Sequence, residues 1–269
     1  MILRRITAHL RDQQWTAIAL DFLVVVAGVF VGIQASNYNA ERAERKLEAE
    51  YADRIVADLD QILTTAQYQR EFEREKSQQA MTAIELTSQP PSDHKSLELG
   101  NLLTVMFFRL SPNYESPTFN DLQNSGRIAL IRNAGLRKKL SSYFARLQYL
   151  RGAIGRNNDA HVETFNAFLR AEAIGAGYAN PADVGAVKMT PIEQGLMSIY
   201  LKRFGARDIE AHSAQLGFPP SQIFWPRLRS AVSWRGVGAV ANENVLNLII
   251  EDAEAIRREV ERTRASGKT

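Results

Sequence analysis

From Phe22 to Ile33 the chain reads FLVVVAGVFVGI, without one polar position. An amphipathic helix of a soluble domain keeps a polar face, and this run has none. Extended from Thr16 to Ala35, a helix reaches about 30 Å, the thickness of a bilayer core. The flanks agree. Trp15 precedes the run and Tyr38 follows it, as membrane interfaces favour, with Arg4, Arg5 and Arg11 on one side and Arg42, Arg45 and Lys46 on the other. The pattern predicts a transmembrane helix over 16–35. The rival reading is a cleaved signal, but the run is longer than a usual signal core and carries an acid, Asp21, at its head.

The pattern then changes. From Ser36 to Gln89 there is neither glycine nor proline, and Leu47, Tyr51, Ile55, Leu59, Ile62 and Ala66 recur three or four apart. This spacing predicts a long amphipathic helix that continues the membrane helix outward. Glu41, Arg45, Glu48, Glu73 and Lys76 are read as its solvated face. Leu97–Leu110 reads as a second helix, and Thr118 with Asp121 as a capping box opening a third that Gly126 closes. Asn133 caps a fourth, with a seam at Leu136, Leu140, Tyr143, Leu147, Leu150 and Ile154. Gly175–Val187 is a loop. Thr190-Pro191 starts a further helix, and a short helical piece lies near Arg207–Leu216. The last helix carries Leu246, Ile249, Ala253, Ile256 and Val260 and ends in a basic tail from Arg257 to Lys268. Cations suit a helix C-terminus, and binding of acidic lipid or nucleic acid is the sharper alternative. The expected fold is all-α: an N-terminal transmembrane helix, then an antiparallel bundle of long helices in which first and last are partners. The expected division is a basic tail (1–15), a membrane helix (16–35) and a helical-bundle domain (36–269).

Two places carry candidate function. On a helix, Asp21, Gly28, Gly32 and Asn39 share one stripe. Gly28 and Gly32 form a GxxxG, which lets membrane helices approach closely, and an intramembrane acid normally faces protein or water. The stripe reads as a packing face for a second copy or a partner. The bland alternative is a shallow Asp21 and a chance GxxxG. Second, the apolar seam ending at Ile154 extends to Asn157, His161 and Thr164, then Phe168. Buried polar groups need partners or water, so this level is either a small polar pocket or a satisfied layer that fixes register.

Composition narrows the chemistry. Lys and Arg exceed Asp and Glu by 33 to 30, a net +3 that argues no nucleic-acid partner without a clustered basic face. There is no cysteine, which excludes disulfides, thiolate catalysis and cysteine-held zinc or iron–sulfur clusters. The histidines, His9, His94, His161 and His212, show no metal-ligand spacing. Gly236-Val-Gly238 lacks a preceding strand and a third glycine, so it is no nucleotide fingerprint. No metal, no cofactor and no enzymatic activity is expected.

Two segments resemble a family of bacterial membrane-anchored proteins classed as a domain of unknown function. One is Asp21 opening the apolar run that ends Gln34-Ala35-Ser36-Asn37-Tyr38-Asn39, with Glu41 beyond. The other is Leu122-Gln-Asn-Ser125-Gly126 followed by Ile131, Asn133, Leu136, Leu140 and Tyr143. This chain departs from the family in having aspartate where glutamate is common and tyrosine where tryptophan stands. The resemblance implies a membrane anchor and a helical body, and no activity. The expected location is the bacterial inner membrane, single-pass. A short basic tail usually stays inside, so the N-terminus is expected in the cytoplasm and the bulk in the periplasm. The expected role is an accessory or scaffold subunit docking through its transmembrane helix, the alternative a periplasmic sensory or ligand-binding bundle.

Overall fold

The computed structural model describes residues 15–88, 93–111, 113–172, 194–195, 198–199 and 224–266. Among them there is no strand, and the chain is an all-α bundle. Its helices are α1 (Trp15–Thr87), α2 (Asp93–Met106), α3 (Pro117–Asn124), α4 (Ala134–Asn157), α5 (Glu163–Ala171) and α6 (Phe224–Ser266). A 3-10 turn (Arg127–Leu130) precedes α4, and a π turn (Asn158–Val162) joins α4 to α5. The expected loop at Gly175–Val187, the helix start at Thr190 and the piece near Arg207 lie outside the described residues.

With neither glycine nor proline after Gly32 to stop it, α1 runs 73 residues, about 110 Å, through the apolar run and on to Thr87. Its apolar part has no protein cover: the large side chains from Leu20 to Ile33 are all at least 49% exposed. Leaving such side chains in water forgoes roughly 1.5–3 kcal/mol each. Over the segment that exceeds the roughly 5–15 kcal/mol by which a folded domain is stable. Among the described residues this is the one helix long and apolar enough to cross a membrane.

Beyond Leu47 the same helix becomes the spine of the body. Tyr51, Ile55, Leu59, Ile62 and Ala66 are buried, as their spacing requires. The partner along this length is α6, antiparallel. Arg264 pairs with Asp53, Arg257 with Asp60 at 2.7 Å and Arg74 with Glu243 at 3.0 Å. At the far end Arg229 donates to the Thr87 carbonyl at 3.2 Å, satisfying an orphan acceptor where α1 stops. At the basic end of α6, Arg257 and Arg264 thus answer carboxylates of α1, while Arg258 and Arg262 pair with Glu254 and Glu259 of α6 itself. This helix also begins well before the seam at Leu246 suggested, with Pro226 in its first turn, where the missing N–H costs nothing.

Between the two long helices the chain returns toward the apolar run of α1 in steps. The helix read over Leu97–Leu110 runs from Asp93 to Met106. Nor does the third helix open at Thr118. Ser116 is the cap, its hydroxyl accepting from Phe119 N at 3.1 Å, with Pro117 at the first position. Asp58 of α1 accepts from both Ser116 Oγ (2.6 Å) and Thr118 N (3.0 Å), so a carboxylate holds the positive end of α3 against the spine. Asp121 accepts from Tyr51 Oη instead of closing a capping box. Gly126 closes the segment in the left-handed region, φ 69°. Asn133 then caps α4 through Leu136 N, and the seam from Leu136 to Ile154 is buried as expected.

Candidate functional site

The body holds two apolar cores. One lies toward the apolar run of α1 and joins Ile55, Leu59, Leu140, Leu147 and Ile249. The other lies at the far end and joins Ala83, Leu103, Met106, Phe165 and Val232. Between them each long helix turns polar at the same level. The buried residues there are Gln69, Glu73 and Lys76 on α1, Asn158 on the π turn, and Arg235 and Asn242 on α6.

At the centre stand Glu73 and Arg235, both 0% exposed, with Nη1 and Oε2 3.5 Å apart. The guanidinium also donates to the Met106 carbonyl (3.0 Å) and the Phe108 carbonyl (3.3 Å), which lie where α2 ends. Asn242 donates to Glu73 at 3.0 Å and to Asn158 Oδ1 at 2.9 Å, and Asn158 donates to the Leu110 carbonyl at 3.3 Å. Lys76 donates to Gln79 at 3.1 Å and lies over the Phe72 ring. Tyr114 donates to Gln69 at 2.6 Å. One network therefore ties α1, α6, the π turn and the strap after α2 at a single height.

Burial raises the Glu73 carboxyl above its ordinary range, against the pull of Arg235 and the Asn242 hydrogen bond. Burial also raises the Tyr114 phenol, and the Glu73 charge adds to that. Such a pair is weak evidence for stability, because desolvation offsets the attraction. What it fixes is the register of one helix against another, since each polar group has partners only at this height.

Glu73 and Lys76, read from the sequence as solvated, are among the most buried side chains in the protein. They sit in a run, Arg70 to Lys76, so charged that it reads as surface. The signal was phase. Continuing Ile62 and Ala66 by four and three lands on Gln69, Glu73, Lys76, Ala80 and Ala83, which are all buried. Glu41 and Arg45 are exposed, as expected, and Glu48 is half-buried.

The inward seam of α4 does not pass through Asn157, His161 and Thr164. It runs Ile154, Asn158, Val162, Phe165, Leu169. The cause is the π turn, where the Glu163 N–H reaches back to the Asn158 carbonyl. A π turn holds an extra residue, so every later side chain is rotated by one position. Asn157 is half-buried beside the network. Thr164 faces solvent with its hydroxyl on the Ala160 carbonyl at 2.7 Å. His161 is half-buried and stacked on Trp234, ring centroids 5.2 Å apart, and its shielded Nδ1 has no hydrogen-bond partner. Close approaches at this level explain two glycines. A Cβ at Gly238 would stand 2.5 Å from His161 Cβ, and one at Gly236 would stand 3.0 Å from Ala80 Cβ. They let α6 close on the π turn and on α1.

Of the stripe on the apolar run, Gly28 and Gly32 are uncovered, since a Cβ at either would meet nothing within 4 Å. Asp21 lies on α1, its side chain outside the described residues. Among the described residues no group of three or more histidine and acidic side chains could hold a metal ion. No family model matches the chain, no curated protein matches it and no solved structure matches it.

Proposed function

We propose that this chain is a single-span, membrane-anchored helical interaction protein of the bacterial inner membrane, an accessory or scaffold subunit that docks on a membrane complex through its transmembrane helix. One observation carries the reading: the apolar part of α1 is uncovered all round, Gly28 and Gly32 included, yet is one helix with the spine of the body. A partner packed on that stripe would be joined to the bundle by an unbroken helix. The body is read as periplasmic, without catalytic activity, and the chain as a member of the family it resembles.

The test is purification of the full-length protein from its native membrane in mild detergent, followed by sizing and mass spectrometry. The wild type is expected in a defined assembly larger than one chain. The double variant Asp21→Leu with Gly28→Leu is expected to lose it. Equal sizes for the two would defeat docking through the stripe. A second reading, a sensory or ligand-binding bundle, is favoured by a cavity at the membrane end of the body.

A further inference from the structure

The body does not close at its membrane end. Between the first turns of the spine, the start of α4 and the end of α6 lies a cavity of about 490 Å³. Its floor is apolar: Ala52 and Ile55 of α1, Leu136 and Leu140 of α4, and Val260 of α6. Alanine is the reason for the gap, because Ala49 and Ala52 leave α1 thin where α6 has passed its last buried residue, Val260. The volume lies in the range of about 300–1,000 Å³ usual for small-molecule sites. A space of this size suits a single apolar ligand such as one acyl chain.

The rim is charged. Arg45, Lys46, Arg132 and Arg264 line it, with Glu48. Arg132 answers Glu41 at 3.3 Å, Glu44 at 3.1 Å and Glu48 at 3.9 Å. Arg45 shares Glu41, and Arg264 holds Asp53. Lys46 has no ion pair among the described residues and stands exposed at the mouth. One further negative charge has one uncommitted cation to meet.

Position supplies the source. From Ala35, where the apolar run ends, to Arg45 the helix rises about 15 Å. The headgroup layer takes up about 5–8 Å of that. The mouth therefore stands within about one Debye length of the membrane surface. We propose that the cavity binds a long-chain fatty carboxylate taken from the adjoining leaflet, its chain on the apolar floor and its head at Lys46. This rests on the membrane reading of α1, and the experiment separates the two.

The probe is a fatty acid carrying a photoreactive diazirine on its chain. It is added to the full-length protein in vesicles of neutral lipid, irradiated, and its attachment sites are mapped by mass spectrometry. Labelling is expected on peptides covering 45–55, 131–140 or 256–264, to saturate, and to be competed by unlabelled oleate. Ala52→Trp, which fills the floor, is expected to lower it at least ten-fold. Lys46→Glu, at an exposed position that cannot unfold the body, is expected to lower it several-fold. A diazirine fatty alcohol is expected to label the cavity more weakly than the acid. Labelling confined to the apolar run, or unchanged by both substitutions, overturns the proposal, and equal labelling by acid and alcohol overturns the role of Lys46. Flotation of the vesicles is scored in parallel. Protein that fails to float defeats the membrane reading, and cavity labelling of that protein would still establish the site.

Discussion

Between Phe22 and Ile33, α1 is apolar on every face and exposed on every face; between Tyr51 and Ala83 the same helix is buried on one side, a narrow seam that widens between Phe72 and Ala80. Nothing in the backbone marks the change. What differs is the surroundings each stretch is composed for. The first can be stable only where lipid or another helix removes its side chains from water. The second is stable because α6, with α2 and α3, packs along it, so its remaining faces are free to be charged. Within that seam a second contrast appears. Apolar burial at Leu59 and ionic burial at Glu73 occupy equivalent positions of one helix, but only the first stabilises through area alone.

These contrasts can be broken by substitution. The largest effect is expected at the polar layer. Arg235→Leu leaves the Glu73 carboxylate buried without its ion partner, and breaking such a pair costs about 3–5 kcal/mol in urea unfolding of the body. The double variant with Glu73→Leu is expected to regain most of it. If single and double variants unfold alike, the two groups are not coupled. In the apolar part of the seam, Leu59→Ala is expected to cost about 2–5 kcal/mol through the cavity it leaves. Val25→Ala, in the uncovered run, is expected to leave the unfolding midpoint of the body unchanged. A shift there as large as at Leu59 would mean that the run packs on the body.

A smaller effect is expected from pH. The Glu73 carboxyl titrates above its ordinary 4.5 because the fold buries it. Between that value and its raised one, the folded chain holds a proton that the unfolded chain has lost. The contribution of this group to stability is full below the unfolded value and declines as pH rises through the folded one. Urea midpoints measured upward from about pH 5 are expected to show this decline in the wild type and to lack it in Glu73→Gln. A rise with pH that vanished in the variant would reverse the assignment. The smallest effect is expected at the exposed corner. Glu41 is held below its ordinary value by hydrogen bonds first from Arg45 and then from Arg132. Arg132→Ala is expected to move its titration, followed by NMR, part of the way back while the unfolding midpoint stays in place.

Much of the fold was legible because local rules and tertiary packing agree along α1 and α4. The absence of glycine and proline gave the spine its length, and the spacing from Leu47 to Ala66 and from Leu136 to Ile154 gave its buried side. Legibility failed where charge and phase disagreed. Glu73 and Lys76 look like surface by type and core by position, and position decided. It failed again at Asn158, where a π turn that leaves no mark in residue spacing rotated the seam away from His161 and Thr164. At Gly236 and Gly238 the signal was present, since two glycines inside a helix imply a close neighbour, but the neighbour could be named only once the helices were docked. The cavity under Lys46 depends on three segments far apart in sequence, and no local pattern announces it.

Because the chain contains no cysteine, each cysteine introduced is its only one. The most direct test of the account is therefore a single-cysteine scan from Phe22 to Ala66 in native membranes, read with a water-soluble maleimide. No labelling is expected from Phe22 to Ile33, rapid labelling around Asn39 to Arg45, and then protection recurring at Tyr51, Ile55, Leu59, Ile62 and Ala66. Labelling of the apolar run as rapid as that of Arg45 would contradict it, because the uncovered half of α1 would then lie in water.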